Sequence, residues 1–144
     1  MCCTAIARTI LQVVTKYKLA AEITNKTLSM LVPGVVPGAS VLELCRSGDA
    51  LIEKETGAVF NKKNENGEKV EKGIAFPTCI SVNEVVCHFS PLPENDRTIE
   101  EGDLVKIDLG THIDGFVATT GKARETCLQL FFCSKTCPLF SVSS

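Results

Sequence analysis

Apolar residues recur at three- and four-residue spacing from Val13 to about Val32, where Val13, Tyr17, Ala20, Ala21, Thr24, Leu28 and Leu31 share one face. That period predicts an amphipathic helix. Pro33-Gly34 stops it, and Pro37-Gly38 extends the break into a loop. Ser40 followed by Glu43 has the spacing of a capping box and predicts a second helix, with Val41, Leu44, Cys45, Ile52, Thr56 and Val59 inward. Gly48 lies inside this helix and weakens it by about 1 kcal/mol relative to Ala. Residues 61–72 form a polar loop with a turn signal at Asn66-Gly67.

Beyond that loop the period shortens. Ile74, Phe76, Ile80, Val82, Val85, Val86 and Phe89 predict short strands punctuated by Pro77 and Asn83. A second polar connection, 90–102, closes in the turn Glu101-Gly102-Asp103. Residues 104–109 then predict a strand, 110–115 a turn that holds His112 toward solvent, and 116–120 the returning strand of a hairpin. Two helices followed by locally paired strands indicate an α+β fold. Three segments result: a flexible N-terminus over 1–12, one domain over 13–120, and a divergent cysteine-rich tail over 121–144.

Composition narrows the class. At 144 residues the chain fits a single domain, and its 44% apolar and 22% charged content is that of a globular protein. A net charge of −2 argues against a dedicated nucleic-acid surface, though not against a local basic patch. Lys62, Lys63, Lys69 and Lys72 could form one, but Glu65, Glu68 and Glu71 are interleaved with them and favour a solvated mixed-charge loop. No apolar run approaches the ~20 residues of a membrane span, so no membrane is expected among the partners. The eight cysteines follow no disulfide framework, and residues 1–8 lack a charged leader region, with Arg8 breaking their apolar run. Reduced thiols in a cytosolic or nuclear protein are the expectation. Cys127, Cys133 and Cys137 are spaced unlike a paired zinc motif and have no evident fourth ligand.

Several blocks then carry a resemblance. They are Val13–Lys18, Ser47-Gly-Asp49, Lys72-Gly-Ile-Ala-Phe-Pro-Thr78, Cys87-His-Phe-Ser-Pro91, Gly102–Gly110 and His112–Phe116. Together, in this order, they closely resemble the proliferation-associated, ErbB-receptor-binding relatives of type 2 methionine aminopeptidases. The resemblance covers about residues 13–118. It implies the N-terminal half of the pita-bread fold, with the second pseudo-symmetric half and a basic C-terminal region falling outside this chain, and no counterpart for the tail.

By the same resemblance, Asp108 stands where active aminopeptidases hold a metal with a strand carboxylate, and His88 where they orient substrate. The second metal carboxylate would fall eleven residues after Asp108, and Thr119 stands there. A dinuclear site needs about five side-chain ligands, several of them bridging carboxylates, so one carboxylate cannot hold it. Asp114 could substitute, but beside Gly115 its role is turn chemistry. Without metals, His88 is expected as a hydrogen-bonded core histidine between strands, and both it and Asp108 as vestigial positions. No metal and no cofactor is expected. The resemblance implies a non-enzymatic binding protein with protein partners and RNA or ribosomes, in the cytoplasm and in the nucleus and nucleolus. Two alternatives stand beside it: a metal-dependent aminopeptidase completed by a second chain, or a fragment without independent function.

Overall fold

In a computed structural model, which describes residues 2–62, 67 and 69–126, helix α1 (Cys2–Leu31) is followed by α2 (Val41–Gly57) and by strands β1 (Lys72–Val82), β2 (Leu104–Ile113) and β3 (Phe116–Glu125). The strands form one antiparallel sheet in the order β1-β2-β3. Helix α2 lies against β1, α1 against β2 and β3, and the two helices touch each other. The expected α+β class is therefore what the chain adopts.

Strand β2 organises the core. Val105, Ile107, Leu109, Thr111 and Ile113 are buried at alternate positions, so one face of the strand is closed. Ile80 and Val82 from β1, Val41, Cys45 and Ile52 from α2, and Leu31 from α1 pack against that face. A second cluster joins Ile113 to Ala20, Ile23 and Val70. On α2 the predicted face is observed for Val41, Cys45, Ile52 and Thr56, all buried, while Val59 falls after the helix, which ends at Gly57. On α1 the buried face also takes in Ile23 and Thr27, whereas Tyr17 is exposed and packs at a tilt against Phe116.

Four boundaries differ from the sequence pattern. Helix α1 starts at Cys2 rather than Val13, so the segment expected as a flexible N-terminus forms its first turns; no Gly or Pro between them stops the helix. Strand β1 is one continuous strand, because Pro77 falls at an irregularity between Phe76 and Cys79, where a missing N–H is tolerated. Strand β2 continues through Gly110–Ile113, and the hairpin turn is Asp114-Gly115 alone, both at positive φ (56° and 77°). Strand β3 runs past Thr120 to Glu125, since residues 121–125 pair with 104–108; the domain boundary expected at 120 falls inside it. The rest of the expected tail, with Cys127, Cys133 and Cys137, lies outside the described residues.

Polar contacts fix the ends. Ser40 Oγ accepts from Glu43 N at 3.1 Å, capping α2 as its spacing predicts, and donates to Asp96 at 2.6 Å. Asp96 also accepts from Leu42 N, and these bonds hold its carboxyl below the usual range. At the other end, Asp103 accepts from Glu100 N and Asn83 Nδ2, each at 2.7 Å, which lowers its pKa likewise. Thr126 closes the same turn by donating to the carbonyls of Asp103 and Glu100.

Gly48 marks the closest approach of α2 to β1. A Cβ there would lie 2.6 Å from Thr78 Oγ1 and 3.0 Å from Leu31 Cδ1, both on buried residues. Gly48→Ala should therefore destabilise the fold by about 1–3 kcal/mol from overpacking, outweighing the ~1 kcal/mol that Ala contributes to an isolated helix. Urea unfolding checks the sign, and a stabilised variant would contradict this packing.

Candidate functional site

The face of the sheet turned away from the helices carries the candidate residues. Because side chains alternate along a strand, Lys106, Asp108, Gly110 and His112 of β2 point to this face. Their partners in register are Ser81, Cys79, Phe76 and Gly73 on β1 and Ala123, Gly121, Thr119 and Val117 on β3.

Asp108 is half-buried at the centre of this face, between Cys79 and Gly121. Its Oδ1 would lie 4.0 Å from a Cβ on Gly121, so the carboxylate leans over β3. Thr119 stands opposite Gly110, one pleat along from Asp108 on the same face of the neighbouring strand. Diagonal neighbours of this kind are about 7–8 Å apart, a separation one ion could bridge between two carboxylates. Thr119, however, supplies a single neutral hydroxyl. Gly110 is needed where it is because the Phe76 ring lies over it: a Cβ would meet Phe76 Cε1 at 2.5 Å.

The other candidates are dispersed. Asp114 occupies the hairpin turn and is paired with Lys16 Nζ, so its carboxylate is engaged away from Asp108. His88 is exposed at φ 61° in the β1–β2 connection, which corrects the expectation of a core histidine. Phe89 is the residue that turns inward there, its carbonyl accepting from Ile80 N at 2.8 Å, so its predecessor faces out. His112 is on β2 rather than in a solvent-facing turn, half-buried, and its Nδ1 has no partner among the described residues. It borders a groove with Lys69, Val70, Glu71 and Lys72. Lys72 turns into the loop, donating to Val59 O and to Asn61 Oδ1, which leaves Lys62 and Lys69 as the exposed cations of the expected patch; Lys63 lies outside the described residues.

One thiol adjoins Asp108, that of Cys79 opposite it in register, and the sequence pattern does not bring the two together. Cys79 is buried and directs Sγ to Pro77 O at 3.1 Å; burial raises its pKa, and the negative charge of Asp108 raises it further. Burial pushes the Cys45 thiol up to about 12, with Cys79 and Asp49 adding to the effect. Both are therefore protonated and poor metal ligands at neutral pH. Among the described residues, no three His, Cys, Asp or Glu side chains form a group that could hold a metal ion. One carboxylate, one hydroxyl and one protonated thiol do not fit the dinuclear site of an aminopeptidase.

This geometry has recognisable relatives. The pattern of metallopeptidase family M24 matches residues 3–122. The chain belongs to that family. It is 52% identical over 110 residues to ErbB-3 binding protein 1 of Solanum tuberosum, covering 76% of this chain and 28% of that protein. Proliferation-associated protein A of Dictyostelium discoideum is 49% identical over 106 residues, 74% of this chain and 26% of that one. The chain thus spans little more than a quarter of the length of these relatives. Among solved structures, a thermophilic Arx1 superposes with a TM-score of 0.71 at 31% identity, over 82% of this chain and 31% of its own. A methionine aminopeptidase of Thermotoga maritima does so with 0.60 at 26% identity, over 79% and 42%. Two helices followed by three antiparallel strands are the part of the pita-bread fold that this chain covers.

Thiol chemistry checks the burial of Cys45 and Cys79. In the folded chain at pH 8, iodoacetamide should label exposed Cys87 before buried Cys45 and Cys79. Cys45 should react roughly a thousandfold slower than an unperturbed thiol, its thiolate being that much scarcer. Peptide mass spectrometry reads the order; equal labelling of Cys45 and Cys87 would contradict it.

Proposed function

We propose that this chain is a non-enzymatic binding protein built on an aminopeptidase-derived scaffold. The observation that carries the reading is Thr119, one pleat from Asp108 on the open face, where a metal site would require a second carboxylate. Without that carboxylate no divalent ion is held to polarise a peptide carbonyl or to lower the pKa of a water, and the aminopeptidase reaction has no nucleophile. The names of the two sequence relatives at about half identity, which record ErbB-3 binding and association with proliferation, support this reading. The metal-position and substrate-position residues, Asp108 and His88, are vestigial in this reading.

The partners we propose are proteins and ribonucleoprotein particles, ribosomes foremost, in the cytoplasm and the nucleus including the nucleolus. The resemblance to proliferation-associated proteins supports that class. The test is cosedimentation of the full 144-residue chain, kept reduced, with purified ribosomes at moderate salt. The chain is expected in the ribosomal pellet in a salt-sensitive manner. Complete absence from that fraction would count against this partner class.

A further inference from the structure

Helix α1 is longer than the sheet it covers. It runs parallel to β3: Arg124 donates to Val32 O at 2.7 Å near one end, Thr24 Oγ1 reaches Ala118 O at 3.3 Å, and Lys16 meets Asp114 at the hairpin turn. Tyr17 packs on Phe116 there, with ring centroids 5.2 Å apart. Residues 2–15 therefore project past the end of the sheet, by about 20 Å at 1.5 Å per residue. Large apolar side chains stay uncovered along and beside this projection: Ile10 is 59% exposed, Leu11 66%, Val14 40% and Tyr17 47%. At about 100° per residue they fall within an arc of about 120°, a continuous apolar stripe.

Charge says what covers the stripe. Residues 1–21 contain Arg8, Lys16 and Lys18 and no acid; the first is Glu22. Asp114 neutralises Lys16 alone. A second copy docking on the same segment would set Arg8 and Lys18 against their own counterparts with no acid within residues 1–21 to offset them. The stripe lies on a convex, projecting helix rather than in a groove, and a soft apolar phase bounded by negative charge matches it without a shaped cleft. A tyrosine at the end of the stripe suits the boundary between that phase and water. No described helix is long and apolar enough to cross a membrane, and binding in the plane of its surface requires none.

We infer that residues 10–18 of α1 bind the surface of an anionic lipid bilayer, with Ile10, Leu11, Val14 and Tyr17 entering the acyl boundary and Lys18 at the headgroups. The test is flotation of the full chain with vesicles of phosphatidylcholine, with and without phosphatidylserine, its fold checked by circular dichroism. Binding to the phosphatidylserine vesicles and much weaker binding to phosphatidylcholine alone is expected. The double substitution Ile10→Asp/Val14→Asp, at two exposed positions, should abolish binding while leaving the fold intact. Lys18→Gln should weaken it by about fivefold, the effect of one surface cation. Failure of the folded chain to bind phosphatidylserine vesicles would overturn the inference, as would binding that the double substitution leaves unchanged. A concentration-dependent dimer that the double substitution dissolves, without vesicle binding, would assign the stripe to a second copy instead.

Discussion

The register of β2 is the constraint on which the rest depends. This strand is paired along its length with β1 on one side and β3 on the other, and it buries Val105, Ile107, Leu109 and Ile113 on one face. A slip of one residue would turn all four into solvent and bring Asp108 under the helices, so burial of the apolar set fixes where the carboxylate points. The open face, and the position of Thr119 beside Asp108, follow from packing on the opposite face. The site inherits its geometry from the core.

The two helices close that core by different means. Helix α2 comes so near to β1 that only Gly48 fits, and the Asp49 carboxylate accepts from Thr78 N at 2.8 Å, tying helix to strand at the same point. Helix α1 instead anchors along β3 through Arg124, Thr24 and the Lys16–Asp114 pair. That pair is partly exposed and contributes little stability by itself, as surface ion pairs generally do. Its value is positional, since it sets where α1 leaves the sheet.

Much of this was legible in the residues. The capping spacing of Ser40 and Glu43 and the buried positions of α2 act locally and are where the pattern puts them, whereas the turn expected over 110–115 narrows to Asp114-Gly115. The differences arise where tertiary pairing overrides a local signal. Pro77 breaks a strand pattern, yet β1 passes through it at a ladder irregularity. Gly110 looks like the opening of a turn, yet it is a strand residue made small by the Phe76 ring above it. His88 sits in a sequence that alternates like a strand, but the inward turn of Phe89 puts it outside. Cys79 comes to lie beside Asp108 only through the pairing of β1 with β2, and no spacing rule reveals it. The position of Thr119 relative to Asp108 came from resemblance alone, and the strand register places the two on one face.

The most direct measurement is thermal unfolding of the reduced full chain across a titration of manganese(II), a hard ion that takes carboxylate ligands. An ion bound to the folded state at a hundred times its dissociation constant would add about 2.7 kcal/mol of stability. With one carboxylate and only a threonine diagonally across from it, no saturable rise in Tm is predicted. A saturable rise that Asp108→Asn abolishes would show that this face holds a metal after all, and would contradict the binding-protein reading.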